Sequence, residues 1–212
     1  RLPEDFEVHL KDKSADENID IKPDELEKEL KDKDDDAYEN LYRRPSEEVK
    51  QKFDKVEQQL RTCLPAEMKD KPNWVIVRTR ENADTGRLDK FLISPATGKF
   101  AESDNPETWA DFDTACKYAR ENGGVALAYA LDGKDSIACI DLDHCVGADG
   151  KRSALADEVL SKCGKTYIES SVSGKGIHVF GKTEGMDLRS FSKDGDMEFY
   201  QDSHFIAMTG DG

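Results

Sequence analysis

The stretch SIACIDLDHCV, residues 136–146, joins an apolar strand pattern to two aspartates one residue apart. Successive side chains of a β-strand point to opposite faces, so Ile140 and Leu142 share one face while Asp141 and Asp143 project from the other. Two like charges roughly 6–7 Å apart repel by about 2–3 kcal/mol at an effective dielectric near 20. We therefore expect a positive group between these carboxylates, although an Asp-x-Asp pair can also lie on a solvated strand face.

The chain has 212 residues, enough for one sizeable domain with an appendage. Its net charge of −15 argues against a protein that coats nucleic acid nonspecifically. Any contact with DNA therefore needs a local basic patch or other parts of a longer polypeptide. The sequence begins at Arg1 and stops at Gly212, and we expect a fragment of a longer protein. No run of apolar residues is long enough to span a membrane, and the sequence shows no charged-then-apolar leader pattern. We therefore expect a cytoplasmic location.

The five cysteines form no CxxC pair, which predicts reduced thiols and gives a zinc site little support.

Three regions differ in composition. Residues 1–44 are rich in charge and poor in apolar residues, which predicts a flexible or partner-dependent segment. Residues 45–63 predict an amphipathic helix that begins near Pro45 and Ser46, with an apolar stripe that needs a partner: Val49, Phe53, Val56 and Leu60. Residues 64–212 carry the periodicity of a folded domain.

Within 64–212, strand and helix patterns alternate. The sequence predicts two strands joined by a loop with Asp84, Thr85 and Gly86, then a helix from Pro106 to Gly123. Neighbouring strands follow in GGVALAYAL and DSIACIDLDH, then a helix closed by Gly164, a hairpin in KTYIESSVSGKGIHVFGK, and late strands. This order predicts an α+β domain.

A third carboxylate, Glu198, lies in the strand-like DMEFY. Hard divalent cations prefer carboxylate oxygens, and Mg²⁺ usually takes one or two carboxylates plus substrate phosphates. Asp141, Asp143 and Glu198 on adjacent strands would suit two metals in an in-line nucleotidyl transfer.

The stretch SVSGKGIH indicates an anion site. Ser173, Gly174 and Gly176 can form a tight turn whose backbone N–H groups converge on a phosphate, with charge from Lys175 and a hydrogen bond from His178. An ordinary glycine-containing hairpin turn with a structural histidine remains the alternative.

An overlapping stretch, GIHVFGKT at 176–183, matches the Walker A pattern letter by letter. A phosphate-binding loop needs exposed backbone amides and a helix opening at Lys182. Because IHVF is a strong β pattern and Gly185 falls where the helix would start, we expect no P-loop ATPase here.

Three motifs in order, DLDHC, SGKGIHVFG and MEFYQDSHFIAMTG, resemble the bifunctional primase/polymerase domain of phage and plasmid replication proteins, within the archaeo-eukaryotic primase superfamily. The resemblance covers about 64–212. It implies a primase-polymerase catalytic core, with a mixed sheet similar to an RNA-recognition fold joined to a second α/β unit. The charged helical N-terminal region that we expect before this core lies outside the resemblance.

The resemblance also implies function. Asp141, Asp143 and Glu198 would be catalytic metal ligands for Mg²⁺ or Mn²⁺, and Ser173–His178 would bind the incoming nucleotide's phosphates. DNA template and (d)NTPs would be the substrates in replication of a phage, plasmid or mobile element, with a helicase domain downstream.

One segment departs from the family pattern. After the third acid the family often has Gly-Arg-aromatic, whereas this chain has Ser203, His204 and Phe205. Losing the guanidinium weakens a phosphate or template contact. A catalytically degenerate module that binds nucleic acid or nucleotides as a replication scaffold is therefore the alternative.

Overall fold

The computed structural model describes residues 45–81, 88–184, 191–194 and 196–212. The charged segment 1–44 and the loop with Asp84, Thr85 and Gly86 lie outside the described residues.

The described strands form two sheets. The strand bounds are β1 Trp74–Glu81, β2 Leu88–Ile93, β3 Ala126–Leu131, β4 Ile137–Leu142, β5 Ile168–Ser170, β6 Ile177–Lys182, β7 Phe191–Asp194, β8 Met197–Tyr200 and β9 His204–Met208. The first sheet has the order β2-β1-β3-β9 and the second the order β5-β6-β4-β8-β7.

Every pairing between the described strands is antiparallel. The predicted α+β class is confirmed, but the expected mixed sheet is wrong for these strands. Short connections such as the one between β5 and β6 permit only antiparallel pairing, since parallel neighbours need a long crossover.

The strands β3 and β4 were predicted as neighbours, yet they belong to different sheets. The chain turns between Leu131 and Ile137, where Gly133 and Ser136 both have left-handed φ angles, of 68° and 60°. This turn moves the chain from the first sheet to the second.

The central strand β4 is buried on both faces. Ile137 and Cys139 pack in a core with the first sheet, whereas Ala138, Ile140 and Leu142 pack in a second core under helix α4, Ala154–Lys162. Asp141 continues the face of Ile137 and Cys139, so the charged end of the strand lies beside a packed, rigid core.

Helix α1, Glu47–Cys63, begins at Ser46, whose hydroxyl accepts a hydrogen bond from the Val49 N–H. Its apolar stripe packs on the core of the following domain, where Phe53 and Leu60 are fully buried. A short helix α2, Ala66–Lys69, connects it to β1.

The helix predicted from Pro106 starts later. Pro106–Thr108 form a single 3₁₀ turn capped by Asn105, and helix α3 runs from Phe112 to Asn122. Asp111 starts this helix by accepting from the Thr114 N–H, and Gly123 ends it with φ 75°. The capping pair Asp111 and Thr114 therefore decides the helix start, and Asn105 caps only the preceding turn.

All five cysteines are free thiols. Among the helices that the structure describes, none combines the length and the apolar character needed to cross a membrane.

Candidate active site

Four ionisable side chains form a row across the second sheet. Asp141 on β4 lies opposite Glu198 on β8 and opposite His178 on β6, and His178 lies opposite Glu169 on β5. Residues directly opposite each other in an antiparallel pair share a face, so the row lies on one side of the sheet. The structure thus brings together Asp141, Glu198 and His178, which the sequence predicted from separate motifs.

Asp141 is the carboxylate of this row that has a buried oxygen without a hydrogen-bond partner. Within the described part of the chain, its Oδ1 is one of two buried side-chain oxygen or nitrogen atoms without a hydrogen-bond partner. Burial raises the pKa of Asp141 to about 6; His178 and Lys90 act to lower this pKa, and Asp143 and Glu198 raise it further. A buried acceptor surrounded by other acids is the environment that a cation would stabilise.

Asp143 lies in the turn that follows β4, where its N–H donates to the Asp196 carbonyl at 2.8 Å. It lines a cleft of about 240 Å³ together with Lys90, Asp141, Ser173, His178 and His204. The two aspartates of the opening motif therefore face one cleft.

Glu198 is held by its own strand, since Oε2 accepts a hydrogen bond from the Tyr200 hydroxyl at 2.7 Å. Burial raises the pKa of Tyr200, with a further contribution from the bond to Glu198, so the phenol stays a donor at neutral pH. In the described residues, no three His, Cys, Asp or Glu side chains are grouped closely enough to hold a metal ion. The three predicted ligands therefore do not form a ready-made cluster.

The predicted phosphate turn connects β5 and β6. Gly174 has φ 69°, and a Cβ at Gly176 would lie 2.8 Å from the Leu142 carbonyl oxygen, so glycine is needed at both positions. The N–H groups of Gly174, Lys175 and Gly176 donate to the Ser171 carbonyl, the Ser173 hydroxyl and the Ser171 hydroxyl.

In this structure those three N–H groups donate inside the turn, and their convergence on a phosphate stays a prediction. The side chains of Ser173 and Lys175 are exposed at the turn. They remain the candidate anion ligands from this segment, together with His178.

His178 is buried, with 5% of its surface exposed, and contacts two carboxylates. Its Nδ1 lies 3.1 Å from Glu169 Oε1, and its Nε2 lies 3.7 Å from Asp141 Oδ1. The first distance is a hydrogen bond and the second is too long for one. The ring therefore has one anchored nitrogen and one nitrogen beside the cleft.

The Walker A match is a strand. Ile177–Lys182 form β6, and Lys182 makes an ion pair with Glu67 at 2.7 Å. A phosphate loop cannot form where the backbone amides belong to a sheet ladder, so the prediction that this is no P-loop is confirmed.

The segment that departs from the family pattern lines the cleft. The His204 ring stacks on the Tyr200 ring with 3.6 Å between centroids and 1° between planes. Burial lowers the pKa of His204 to about 4, so the side chain is uncharged at neutral pH and cannot replace a guanidinium. Ser203 has φ 47°, the left-handed conformation that glycine adopts most readily.

Sequence reasoning missed Glu169 and Ser171. The hairpin was predicted, and its register would have placed Glu169 opposite His178; a lone glutamate in the apolar pattern YIES was the available signal. Ser171 gave no such signal, because its role depends on the folded shape of the turn.

The chain is similar to a protein named DNA Primase-polymerase from Nitratiruptor phage NrS-1, with 30% identity over 142 residues. The match covers 65% of this chain and 19% of that protein, so this chain spans about a fifth of its relative's length. No protein-family model matches the chain. The similarity confirms the resemblance to primase-polymerases that the motifs indicated.

Proposed function

We propose that residues 64–212 form a metal-dependent primase/polymerase domain that transfers nucleotides onto DNA in the replication of a phage, plasmid or other mobile element. The observation that carries the proposal is the environment of Asp141, which has a buried carboxylate oxygen without a hydrogen-bond partner. Asp143, Glu198 and His178 lie beside it, and Asp141 lines a cleft next to the glycine turn. The similarity to a phage protein named primase-polymerase supports the same assignment.

Asp141 and Asp143 would hold Mg²⁺ or Mn²⁺, because hard cations prefer carboxylate oxygens. Among the described residues no three such ligands are grouped ready-made, so the nucleotide's phosphates would supply the remaining metal ligands. Bound divalent cations stabilise negative charge on the attacking 3′ oxygen and on the leaving pyrophosphate.

The protein's own groups would position the substrate. Ser173 and Lys175 are exposed at the turn beside the cleft and can contact phosphate oxygens. His178 lies between this turn and Asp141 and can present Nε2 to the same phosphates. Tyr200 keeps Glu198 oriented on the strand next to Asp141. DNA template and (d)NTPs are the proposed substrates, and we propose a helicase domain downstream in the full protein.

The test is nucleotide incorporation on a single-stranded template, with and without an annealed primer. We expect activity only with Mg²⁺ or Mn²⁺, and we expect Asp141→Asn and Asp143→Asn each to reduce it to background. Asp149→Asn is the matched control, because Asp149 is an exposed carboxylate paired with Lys151 outside the cleft.

Full activity in an Asp141→Asn/Asp143→Asn double variant would refute the assignment. The neutral His204 in place of a family arginine favours a second candidate, a scaffold that binds nucleotides without incorporating them. That candidate predicts calorimetric binding of dATP with Mg²⁺ but no incorporation by the wild-type protein.

A further inference from the structure

Glu169 is a buried carboxylate that is not among the proposed metal or phosphate ligands. Its side chain is fully buried on β5, in the register position opposite His178. A buried carboxylate is costly unless hydrogen bonds satisfy it, so its partners indicate why the fold tolerates it.

The two oxygens of Glu169 have different partners. Oε2 accepts from the Tyr167 hydroxyl at 2.8 Å, from the Thr209 N–H at 3.1 Å and from the Gly210 N–H at 2.9 Å. Oε1 faces the His178 ring, 3.1 Å from Nδ1. Thr209 and Gly210 directly follow β9, so this side chain connects the edge of the second sheet to the end of a strand of the first.

This arrangement decides which ring nitrogen of His178 carries a proton. A carboxylate only accepts hydrogen bonds, so Nδ1 must donate to Oε1. In the neutral ring Nε2 is then an acceptor, and it lies on the side of Asp141 Oδ1 and the cleft. Carboxylates commonly fix the tautomer and orientation of functional histidines in this way.

We propose that Glu169 is a positioning residue: it keeps the proton of His178 on Nδ1 and holds Nε2 towards the nucleotide site. The role of Nε2 in nucleotide binding rests on the proposed function, whereas the placement of the proton does not. Glu169 itself touches neither substrate nor metal in this scheme.

Glu169→Gln tests the proposal sharply, because an amide has one oxygen and one NH₂ group. Three donors surround the Oε2 position, so the amide oxygen must stay there and the NH₂ group must face Nδ1. Nδ1 then has to accept, and the proton moves to Nε2. The substitution should therefore reverse the tautomer while it keeps the bonds to Thr209 and Gly210.

The measurement is long-range ¹H–¹⁵N NMR of histidine-labelled protein at alkaline pH, without nucleotide or metal. The chain has four histidines, and the spectrum of His178→Ala identifies the His178 signals. We expect a protonated Nδ1 in the wild type and loss of that signature in Glu169→Gln. Glu57→Gln is the control: it removes another buried carboxylate, on α1, and should leave the His178 signals unchanged.

An unprotonated Nδ1 in the wild type would overturn the proposal, as would a folded Glu169→Gln protein that keeps Nδ1 protonated. The wild-type spectrum decides the matter even if the variant does not fold.

Calorimetry with dATP and Mg²⁺ adds the link to binding. A phosphate oxygen only accepts hydrogen bonds, so in the wild type Nε2 meets it as a donor of the imidazolium, whose other N–H donates to Glu169. We expect Glu169→Gln to weaken dATP binding about three- to tenfold, because the ring then meets the phosphate as a neutral donor without the carboxylate behind it. The same substitution should have no effect in a His178→Ala background. An equal loss in that background would show that Glu169 does not act through His178. If His178→Ala itself leaves dATP affinity unchanged while the NMR result holds, the proposed function fails and the placement of the proton stands.

Discussion

His178 Nε2 lies 3.7 Å from Asp141 Oδ1 across the ladder between β4 and β6. The two atoms are too far apart to form a hydrogen bond, so Oδ1 stays buried and unpartnered beside a ring that Glu169 holds from behind. The folded protein therefore stabilises the neutral form of Asp141 relative to its carboxylate. Such a site gains stability from a proton or from a cation.

Asp141→Asn should stabilise the metal-free protein at pH 8. The folded-state pKa of Asp141 is raised from 3.8 to about 6, so the folded chain binds this proton more tightly than the unfolded chain. Stability from this group is therefore present below about pH 4 and is lost as pH rises through about 6. A shift of this size corresponds to about 2–3 kcal/mol. We expect the free energy of unfolding in urea to be about 1–3 kcal/mol higher for the variant than for the wild type at pH 8, and almost equal at pH 4.

The control for this prediction is Asp149→Asn. Hydrogen bonds from Lys151 hold the pKa of Asp149 below its usual value, so its amide should bring no gain at pH 8. A gain for Asp141→Asn that is the same at both pH values would contradict the electrostatic explanation.

His178→Ala and Lys182→Ala should differ strongly in nucleotide affinity. His178 lines the cleft, whereas Lys182 pairs with Glu67 at the other end of β6. A hydrogen bond to a charged group contributes about 1.5–3 kcal/mol. Loss of His178 should thus weaken binding roughly 10- to 150-fold, and loss of Lys182 no more than about threefold. Calorimetry at fixed salt and saturating Mg²⁺ measures both affinities, and the reverse order would contradict the assignment of His178 to the nucleotide site.

Phe53→Ala should cost about 3–5 kcal/mol of unfolding free energy, because the ring is fully buried in the core that α1 shares with the domain. Val49→Ala, on the same stripe but only partly buried, should cost less than about 1 kcal/mol. Urea unfolding of both variants distinguishes a helix that belongs to the folding unit from one that rests on its surface. Equal and small losses would support the second case.

Ser203→Gly should raise stability by up to about 1 kcal/mol. At φ 47° a serine carries the steric cost of the left-handed region, and glycine removes this cost while it adds entropy to the unfolded chain. Ser203→Ala keeps the cost and is the matched control, with no gain expected. Thermal unfolding of the wild type and the two variants tests this prediction. Equal unfolding midpoints for Ser203→Gly and Ser203→Ala would show that the backbone conformation is not strained.

Local sequence patterns were sufficient to predict many of the strands, helices and turns of this protein. The alternation in residues 136–143 predicted a core strand that ends in two acids, and Ser46 with the Phe53 and Leu60 spacing predicted helix α1. The glycine-containing hairpin and the strand at the Walker A match were also predictable, because turn chemistry and β-propensity act within a few residues.

Tertiary structure decided the rest, since strand partners are chosen by packing between distant segments. Only the register of β4 with β6 and β8 places His178 and Glu198 beside Asp141, and only the separation of β3 from β4 divides the chain into two sheets. The environment of Glu169 is the clearest case, because its donors come from Tyr167, Thr209 and Gly210. Two of these donors are about 40 residues away, and no local pattern specifies a hydrogen bond at that separation.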